Sequence, residues 1–418
     1  MVTRIVSGPP GGRSSEFSFV FDCGSINREH FQHGLGSLRQ PTIDVLFISH
    51  LDADHVNGID QLLAQSHVGA VVLPCLDALT IAAIACAEME AGLLTEGFRQ
   101  FLTDPVAWLA RRGVRRVLFV QRADGPDVPP AGPEDAPGEG RPLLPNDQEG
   151  RRIACRVHTN GAAPQLTRTA GELVEVQTLS VACELEVELG PDVKGVSESW
   201  RIIPFYHPFK PAKLIAFRRA VWSTFRIPID RGLAPARFTR RLLAILQNED
   251  SRETLKGCYR QLSSDNNKPS LSVYSGPRRS DFWRVREHTG THWRRGRDPS
   301  MRPYLGAPSP GGRRVGWIST GDADLWTSTG RQAWLQRYRD LLPDLGVFVV
   351  PHHGSNASLH DEVIASVRGA SGVACAALGR THHPHKHLVA RWNENNRELW
   401  QVSEDSGSEF VLEADRWR

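Results

Sequence analysis

The sequence has no long hydrophobic run and no secretory leader pattern. Its most apolar stretch, residues 68–94, is interrupted by Asp77, Glu88 and Glu90, whereas a membrane-spanning helix needs about 18 or more consecutive apolar residues. The first twelve residues, MVTRIVSGPPGG, lack the apolar core of a secretory signal peptide. We therefore expect a protein that does not cross a membrane and that works in the cytoplasm.

Cysteine is scarce and scattered. The 418 residues include only 7 cysteines, an odd number, and no two of them form a Cys-x-x-Cys pair. This pattern fits neither a disulfide framework nor a cysteine-based zinc site, and it is typical of reduced thiols in a cytosolic protein. The sequence also shows no internal repeat of fixed period.

Charge is nearly balanced over the whole chain but uneven along it. The net charge is +3, from 50 Lys and Arg against 47 Asp and Glu. Residues 209–260 hold twelve Lys and Arg against four Asp and Glu, and residues 277–314 hold ten against three. Basic segments in an otherwise acidic chain favour a polyanionic partner such as nucleic acid. Arginine-rich surfaces that bind nothing are the alternative.

Strand and helix patterns alternate along the chain. Short runs of β-branched and aromatic residues between turn residues predict strands, and longer runs predict helices. This alternation indicates an α/β architecture. The predicted strands are residues 17–21, 43–48, 70–73, 117–120, 152–157, 173–179, 183–189, 271–274, 315–319, 347–350 and 373–378, and the predicted helices are residues 77–94, 97–112, 238–247 and 252–262.

The same patterns divide the chain into five segments. Residues 1–121 and 263–418 are predicted to form the two halves of one core domain, with residues 151–204 as a β-rich continuation of that core. Residues 122–150 are dense in proline and glycine and are predicted to form an exposed loop or linker. Residues 205–262 are predicted to form a basic helical insertion.

The most specific local pattern follows the second predicted strand. Residues 49–58 read SHLDADHVNG and place His50, Asp52, Asp54 and His55 within six residues. A loop can direct all four side chains to one point, whereas a regular helix or strand cannot. Imidazole nitrogens and carboxylate oxygens suit Zn²⁺, Mn²⁺ or Fe²⁺. A polar loop that only caps the next helix is the alternative.

The loop and five further motifs resemble the metallo-β-lactamase fold family. The loop is similar to the family signature His-x-His-x-Asp-His, in the form found in the metallo-β-lactamase-like domain of the competence protein ComEC and its relatives. Several motifs in the family's order are much more specific than any one alone. The further motifs are FDCG at residues 21–24, NNKPSLSVY at 266–274, STGD at 319–322, PHHGS at 351–355 and GRTHHPH at 379–385.

The resemblance implies an αββα metallo-β-lactamase sandwich with one or two divalent metal ions, zinc or manganese. It implies that Asp22 orients the metal loop from outside the ligand set. It also implies catalytic roles for Asp54, His383 and His385. The implied metal ligands are His50, Asp52, Asp54, His55, Asp322, His352 and His353.

The sequence departs from the family pattern at two points. Asp52 stands where the family usually has a histidine, which shifts selectivity towards harder ions such as Mn²⁺ while still permitting Zn²⁺. The family's third-motif histidine has no clear counterpart, and His207 is the best candidate, with a structural role as the alternative. These departures put catalysis, rather than the fold, in question.

The resemblance allows several hydrolytic reactions, and we expect a metal-dependent phosphodiesterase, foremost a nuclease, that acts through a metal-activated hydroxide. Trp293 beside Arg294, Arg295 and Arg297 combines a ring for base stacking with charge for phosphate binding. A small-molecule metallohydrolase acting on a nucleotide or ester is one alternative, and a non-catalytic binding or regulatory subunit is another. The resemblance also allows an effector of a bacterial defence system, with a protein partner in a multi-component assembly.

Overall fold

The structure of the protein is a computed structural model, and it describes most of the chain. The described residues are 1–7, 15–25, 27–38, 41–75, 81, 84, 85, 88, 92, 95–123, 140–144, 153–191, 197–208, 211–225, 236–245, 247–260, 270–279, 283–289, 314–380, 382–396 and 398–416.

Strands and helices contribute about equally to the regular structure in this part of the chain. The strands are β1 (Val2–Ser7), β2 (Ser15–Phe21), β3 (Thr42–Phe47), β4 (His67–Pro74), β5 (Arg116–Val120), β6 (Arg141–Pro142), β7 (Cys155–His158), β8 (Gln165–Thr169), β9 (Glu172–Leu179), β10 (Glu184–Pro191), β11 (Ser197–Tyr206), β12 (Leu271–Pro277), β13 (Trp283–Thr289), β14 (Gly316–Ser319), β15 (Leu345–Val349), β16 (Ser371–Cys375), β17 (Leu399–Val402) and β18 (Phe410–Arg416).

Helices fall mainly between the strands. They are α1 (Arg28–Ser37), α2 (Ala53–Val56), α3 (Ile59–Gln65), α4 (Glu96–Thr103), α5 (Pro105–Ala110), α6 (Pro211–Phe225), α7 (Ala236–Ile245), α8 (Glu249–Arg260), α9 (Ser328–Tyr338), α10 (Asp361–Ser366) and α11 (Lys386–Asn395), with short 3₁₀ turns at Leu342–Asp344, His352–Gly354 and Ser406–Ser408.

Most of the strands form two large mixed sheets. The first has the order β1-β2-β3-β4-β5-β9-β8, and its strands from β2 to β9 run parallel. The second has the order β17-β16-β15-β14-β12-β11-β10-β7-β6, parallel from β17 to β14 and antiparallel beyond. Strands β13 and β18 pair separately. The fold is therefore mixed α/β, as the alternating sequence pattern predicts.

The two sheets share one apolar layer, and helices cover their other faces. Phe19 of β2 stacks on Trp317 of β14 with ring centroids 5.8 Å apart. On the outer face of the first sheet, Val221 of α6 and Leu255 of α8 join a buried cluster with residues of β3 and β4. On the outer face of the second sheet, helices α9 to α11 form another cluster with β11 and β15, which includes Trp334.

The predicted strands all coincide with strands of the structure, with ends shifted by at most three residues. The helices predicted near 238–247 and 252–262 correspond to α7 and α8. Most of the predicted helix 77–94 lies outside the described residues, as do residues 124–139 and 145–150 of the predicted loop.

The prediction of one helix over residues 97–112 is wrong. The chain forms α4 and α5 instead, because Pro105 has no backbone N–H to continue the helix. Asp104 caps the second helix by accepting a hydrogen bond of 2.9 Å from the backbone N–H of Ala107. Proline is favourable at the first position of a helix. Pro105 therefore begins a separate helix, α5, instead of bending one continuous helix.

Strand β11 was not predicted, although it lies in the middle of the second sheet. Pro204 stands opposite Val273 within this strand, and proline in a sequence usually argues against a central strand. Ile202 is buried on one face of the sheet, and Ile203 and Phe205 are buried on the other. This burial stabilises the strand by more than the missing backbone N–H of Pro204 costs. None of the helices among the described residues is long and apolar enough to cross a membrane.

The outer face of the second sheet contains a buried ion-pair network. Arg201 is 2% exposed and donates to both carboxylate oxygens of Glu184, at 2.8 and 2.7 Å. Arg278 donates to Glu184 at 2.8 Å and lies 3.2 Å from Glu186. A buried charge that loses its partner is costly because water cannot replace it.

We predict that Arg201→Met lowers the free energy of unfolding by about 3 to 5 kcal/mol, since it leaves Glu184 buried with incomplete compensation. Urea unfolding, read at the transition midpoint, measures the change. Arg156→Met is the matched control, because Arg156 and Glu188 pair on the same sheet with 42% of each side chain exposed. Arg156→Met should lower the free energy of unfolding by less than about 1 kcal/mol. Equal losses of stability in the two variants would contradict the prediction.

Candidate metal centre

The residues predicted to bind metal meet where parallel strands of both sheets end. Asp22 follows β2 and the loop 49–58 follows β3, and these two strands are parallel neighbours. Asp322 follows β14, and His352 and His353 follow β15, which are parallel neighbours in the second sheet. Because the carboxyl ends of parallel strands lie at one edge, the two pairs of loops face each other across the apolar layer.

Hydrogen bonds from backbone N–H groups join these loops. The N–H of Leu271 donates to the carbonyl of Ser49 at 2.7 Å and links the two sheets. Within the second sheet, the N–H of Asp322 donates to Oγ of Ser270 at 3.1 Å, and that of His352 donates to the carbonyl of Gly321 at 3.0 Å. Four motifs far apart in sequence are therefore held in one place.

Two glycines allow the close approach of these loops. Gly321 has a φ of +52°, and a Cβ there would lie 2.2 Å from Oγ of Ser270 and 2.7 Å from Cβ of Ser49. A Cβ on Gly24 would lie 2.7 Å from backbone atoms of Asp54 and His55. A side chain at either position would push the loops apart, since no such contact is sterically allowed.

Asp22 is the hydrogen-bond acceptor on which the first histidines depend. Its Oδ1 accepts the backbone N–H of Ser49 at 2.7 Å, and its Oδ2 accepts the Ser49 hydroxyl at 2.7 Å. The same Oδ2 lies 2.8 Å from Nδ1 of His55. Oγ of Ser49 lies 2.9 Å from Nδ1 of His50. Because the serine proton is donated to Asp22, its oxygen is left to accept the Nδ1 proton of His50.

This arrangement directs the Nε2 atoms of both histidines to the same point. Nε2 of His50 and Nε2 of His55 are buried and have no hydrogen-bond partner among the described residues. They lie 3.6 and 3.7 Å, respectively, from the carboxylate oxygens of Asp322. Buried polar atoms normally have a partner, and the ligand atoms of these three residues all lie within 4.8 Å of one another. The group could hold a metal ion.

A second group shares His55. Asp54 Oδ2 lies 3.9 Å from Nε2 of His55 and 3.4 Å from Nε2 of His353, and these ligand atoms also lie within 4.8 Å of one another. Nδ1 of His353 donates to the carbonyl of Cys375 at 2.7 Å, which orients Nε2 towards Asp54. A hydrogen bond on the far nitrogen is the usual way in which a protein orients a metal-binding histidine.

Asp52 occupies the first position before helix α2, yet its side chain makes no capping hydrogen bond. Its Oδ2 lies 3.7 Å from Nε2 of His50 instead. An aspartate at this position ordinarily accepts a backbone N–H of the first helical turn. The observed orientation therefore fits a ligand or near-ligand of the His50 group better than a helix cap.

Charge in the centre is balanced by a proton on His55. Burial alone would lower the pKa of His55, but the charge and hydrogen bond of Asp22, with Asp322 and Asp54, raise it to about 10. Burial and the charge of His55 lower the pKa of His50. Burial raises the pKa values of Asp22 and Asp322, but the neighbouring histidines more than offset this effect and lower both. A cation is thus favoured between these side chains.

The two later histidine motifs contribute unequally. Besides the contact of His353 with Asp54, the ring of His383 lies 5.4 Å from that of His352 and 6.2 Å from that of His353. Nδ1 of His385 accepts the backbone N–H of His387 at the start of α11. His383 thus borders the centre, whereas His385 acts as a helix cap.

His207 does not join the ligand groups of the described structure. Its Nε2 lies 2.6 Å from Oγ of Ser272 on β12, and its ring packs against Phe205 at 5.0 Å. Burial lowers the pKa of His207 to about 3, so the residue stays neutral. The alternative interpretation of His207 as a structural histidine agrees with these contacts.

Backbone strain is concentrated in the centre. Asp22, His352 and His353 have φ values of 57°, 50° and 54°, and Ala170 is the fourth non-glycine residue with a positive φ in the described part of the chain. Such conformations cost about 1 to 3 kcal/mol each and cluster at functional sites. Here they turn each motif sharply after its strand, which aims the side chains into the gap between the sheets.

Sequence reasoning missed the hydrogen-bonding residues around the ligands. Ser49 and the carbonyl of Cys375 orient His50 and His353, and Ser270 holds the loop of Asp322. Ser49 and Ser270 lie within the motifs at 49–58 and 266–274, although the sequence assigned them no role, whereas Cys375 lies in none of the motifs. The predicted nucleic-acid-binding residues Trp293, Arg294, Arg295 and Arg297 lie outside the described residues.

We predict that Zn²⁺ binding releases at least one proton at pH 8, because His55 keeps its proton up to a pKa of about 10 and a metal requires neutral imidazole. Affinity should then rise about tenfold per pH unit for one proton released. Titration calorimetry in buffers of different ionisation enthalpy measures the release.

Asp22→Asn is the variant for this measurement, since it removes the main group that raises the pKa of His55. It should release fewer protons and bind Zn²⁺ about 10- to 100-fold more weakly. Asp60→Asn is the matched control, because Asp60 lies on helix α3 with 54% of its side chain exposed and pairs with Arg112 outside the centre. It should resemble the unchanged protein. Proton release that is the same with and without Asp22 would contradict the assigned geometry.

Comparison with known proteins finds no family model that matches the sequence, no curated protein that matches it and no solved structure that matches the fold.

Proposed function

We propose that this protein is a metal-dependent phosphodiesterase that acts on nucleic acid, and that its two sheets form an αββα sandwich of the metallo-β-lactamase type. The observation that carries the proposal is the pair of buried Nε2 atoms of His50 and His55, which lack hydrogen-bond partners among the described residues and face Asp322. The donor set of imidazoles and carboxylates suits Zn²⁺ or Mn²⁺.

The order of the motifs along the chain supports the family assignment. The motifs at residues 21–24, 49–58, 319–322, 351–355 and 379–385 come after the carboxyl ends of parallel strands, which supports a shared location for the predicted ligands. The sandwich of two mixed sheets with helices outside agrees with the architecture that the resemblance implies.

A divalent cation in this centre would polarise a phosphoryl oxygen and supply a water of lowered pKa as the nucleophile. The chain's own residues would prepare the geometry. Asp22 and Ser49 hold the imidazoles in the tautomer that presents Nε2, and the carbonyl of Cys375 does the same for His353. No serine or cysteine nucleophile is required.

His383 is the residue best placed to exchange a proton with substrate. Burial and the charges of His352 and His353 lower its pKa, so it is neutral at neutral pH and able to accept a proton. Its Nδ1 is buried without a hydrogen-bond partner among the described residues. We assign proton transfer to His383 and helix capping, rather than catalysis, to His385.

Charge supports nucleic acid as the substrate. Helices α6 to α8 lie within the basic segment 209–260 and cover the outer face of the first sheet, and residues 277–314 are basic as well. Salt-sensitive contacts with phosphates supply most of the affinity in such interfaces. We retain Arg294, Arg295, Arg297 and Trp293 as predicted nucleic-acid-binding residues.

A non-catalytic metal-binding subunit is the second candidate function. It is favoured by one observation: in the described structure, His207 pairs with Ser272 rather than joining the group of His50 and Asp322. The His50 half of the centre then has fewer imidazole ligands than the family pattern. Activity measurements distinguish this role from the phosphodiesterase.

We predict that the protein hydrolyses bis(p-nitrophenyl) phosphate and labelled single- or double-stranded DNA or RNA with Mn²⁺ or Zn²⁺. Asp322→Asn should reduce kcat by about 100-fold or more, because it removes the carboxylate that faces both histidines. Asp340→Asn, beside Arg339 on the surface, is the matched control and should retain full activity. Metal binding without hydrolysis in any of these assays would support the non-catalytic role.

We predict that Asp52→His raises the affinity for Zn²⁺ relative to Mn²⁺ by about tenfold, because it replaces an oxygen ligand with a nitrogen. Competition titration with both metals gives the ratio. Asp60→Asn again serves as the control. An unchanged ratio would show that Asp52 stays outside the ligand set and acts only through its charge on His50.

A further inference from the structure

An exposed tryptophan lies just beyond the metal centre. Trp326 is 45% exposed, although the preceding residue, Leu325, is fully buried. Trp326 is four positions after Asp322 in the sequence, so their Cα atoms are at most about 15 Å apart. The indole is therefore within reach of a short nucleic acid whose phosphate lies at the centre.

The backbone of Trp326 is fixed on both sides. Its N–H donates to Oδ1 of Asp324 at 3.0 Å, and its carbonyl accepts a hydrogen bond from Arg331. The N–H of Leu325 donates to the carbonyl of Ser358 at 3.0 Å. A ring on such a backbone loses little conformational freedom when a ligand binds, which favours binding.

Two cationic or titratable side chains lie against the indole. Cζ of Arg391 lies over the ring, 5.6 Å from its centroid, and the ring of His360 meets it edge-on at 5.4 Å. Arg391 is itself held by Asp361 at 2.6 Å and by Asn356 at 2.9 Å. One face of the indole is thus supported by a fixed guanidinium while nearly half of the residue remains exposed.

This cluster borders the centre through a second segment as well. His360 follows Ser358 by two residues, and Oγ of Ser358 lies 3.4 Å from Nδ1 of His352. The segments that carry Trp326 and His360 therefore both begin at residues in contact with the metal-binding motifs. A group stacked on Trp326 would be placed at a defined distance from the scissile bond.

We propose that Trp326 is a stacking platform for a nucleobase next to the scissile phosphate, and that it makes an unpaired strand the preferred substrate. The inference rests on the proposed phosphodiesterase function and names the substrate group that the centre would receive. A base offers a flat π-face of the kind that stacks on tryptophan, and stacking of this kind tolerates any base sequence. A duplex hides its bases, so the platform selects single strands.

The test uses Trp326→Ala, Trp326→Phe and, as matched control, Leu166→Ala, which replaces a large apolar residue 68% exposed on strand β8. Labelled single-stranded oligonucleotides carry one abasic residue at successive positions around the cleavage site. Binding is measured by fluorescence anisotropy and turnover by gel, both on the full chain with Mn²⁺. We expect Trp326→Ala to raise Kd and KM for the intact strand by about 10- to 100-fold, with Trp326→Phe close to the unchanged protein.

The abasic series separates stacking from a structural effect. In the unchanged protein, one abasic position should weaken binding as much as Trp326→Ala does, and in Trp326→Ala that position should have no further effect. A loss of affinity in Trp326→Ala that is equal for intact and abasic strands, or a loss of the same size in Leu166→Ala, would contradict the stacking role of Trp326.

The outcomes also distinguish this inference from the proposed function. If the unchanged protein binds single strands in the pattern described but hydrolyses no phosphodiester, the proposed function fails and the platform stands as a binding site. If it hydrolyses oligonucleotides with no difference between intact and abasic strands, the platform fails and the function stands. If it hydrolyses duplexes but neither binds nor hydrolyses single strands, the platform fails and the function stands. If it neither binds nor hydrolyses any nucleic acid, both are wrong.

Discussion

The buried carboxylate of Asp22 accepts hydrogen bonds from the backbone and hydroxyl of Ser49 and from Nδ1 of His55, and through Ser49 it also orients His50. A carboxylate without these partners would be too costly to bury. The same bonds fix both imidazole tautomers, because each Nδ1 proton is donated inward and each Nε2 is left facing Asp322. The carboxylate of Asp22 therefore positions both His50 and His55 of the candidate metal centre.

The sheets supply the distances that these bonds require. Strands β2 and β3 end side by side in one sheet and β14 and β15 in the other, so four loops meet across a single apolar layer. The loops could not approach as closely with larger residues than Gly24 and Gly321 at the contacts. Packing of Phe19 on Trp317 holds the two sheets together. The apolar core therefore also helps to position the residues of the candidate metal centre.

Many of the strands could be predicted from local sequence, because they are short apolar runs between turn residues, and a family resemblance indicated several residues of the candidate metal centre. The loop at 49–58 places four ligand atom sources in ten residues, and the core strands are short apolar runs. Three features could not be found this way. Pro204 argues against a strand in the sequence, yet its segment forms the central strand β11 because the neighbouring side chains are buried. Pro105 interrupts a continuous apolar pattern and divides it into two helices. The carbonyl of Cys375 can be identified as the partner of His353 only from the position of β16 in the structure.

In the proposed function, the metal centre and the indole of Trp326 would contact different parts of a nucleic acid. Imidazoles and carboxylates around a cation would act on the phosphate, which is the same at every step of the strand, and the ring would stack on a base without reading its sequence. Neither contact would require a particular base sequence, and both depend on the two loop segments after Asp322 and after His352. Backbone contacts at Leu325 and Ser358 set the spacing between the ring and the candidate ligands. On this proposal, the position of the scissile bond relative to a stacked base would follow from the fold itself.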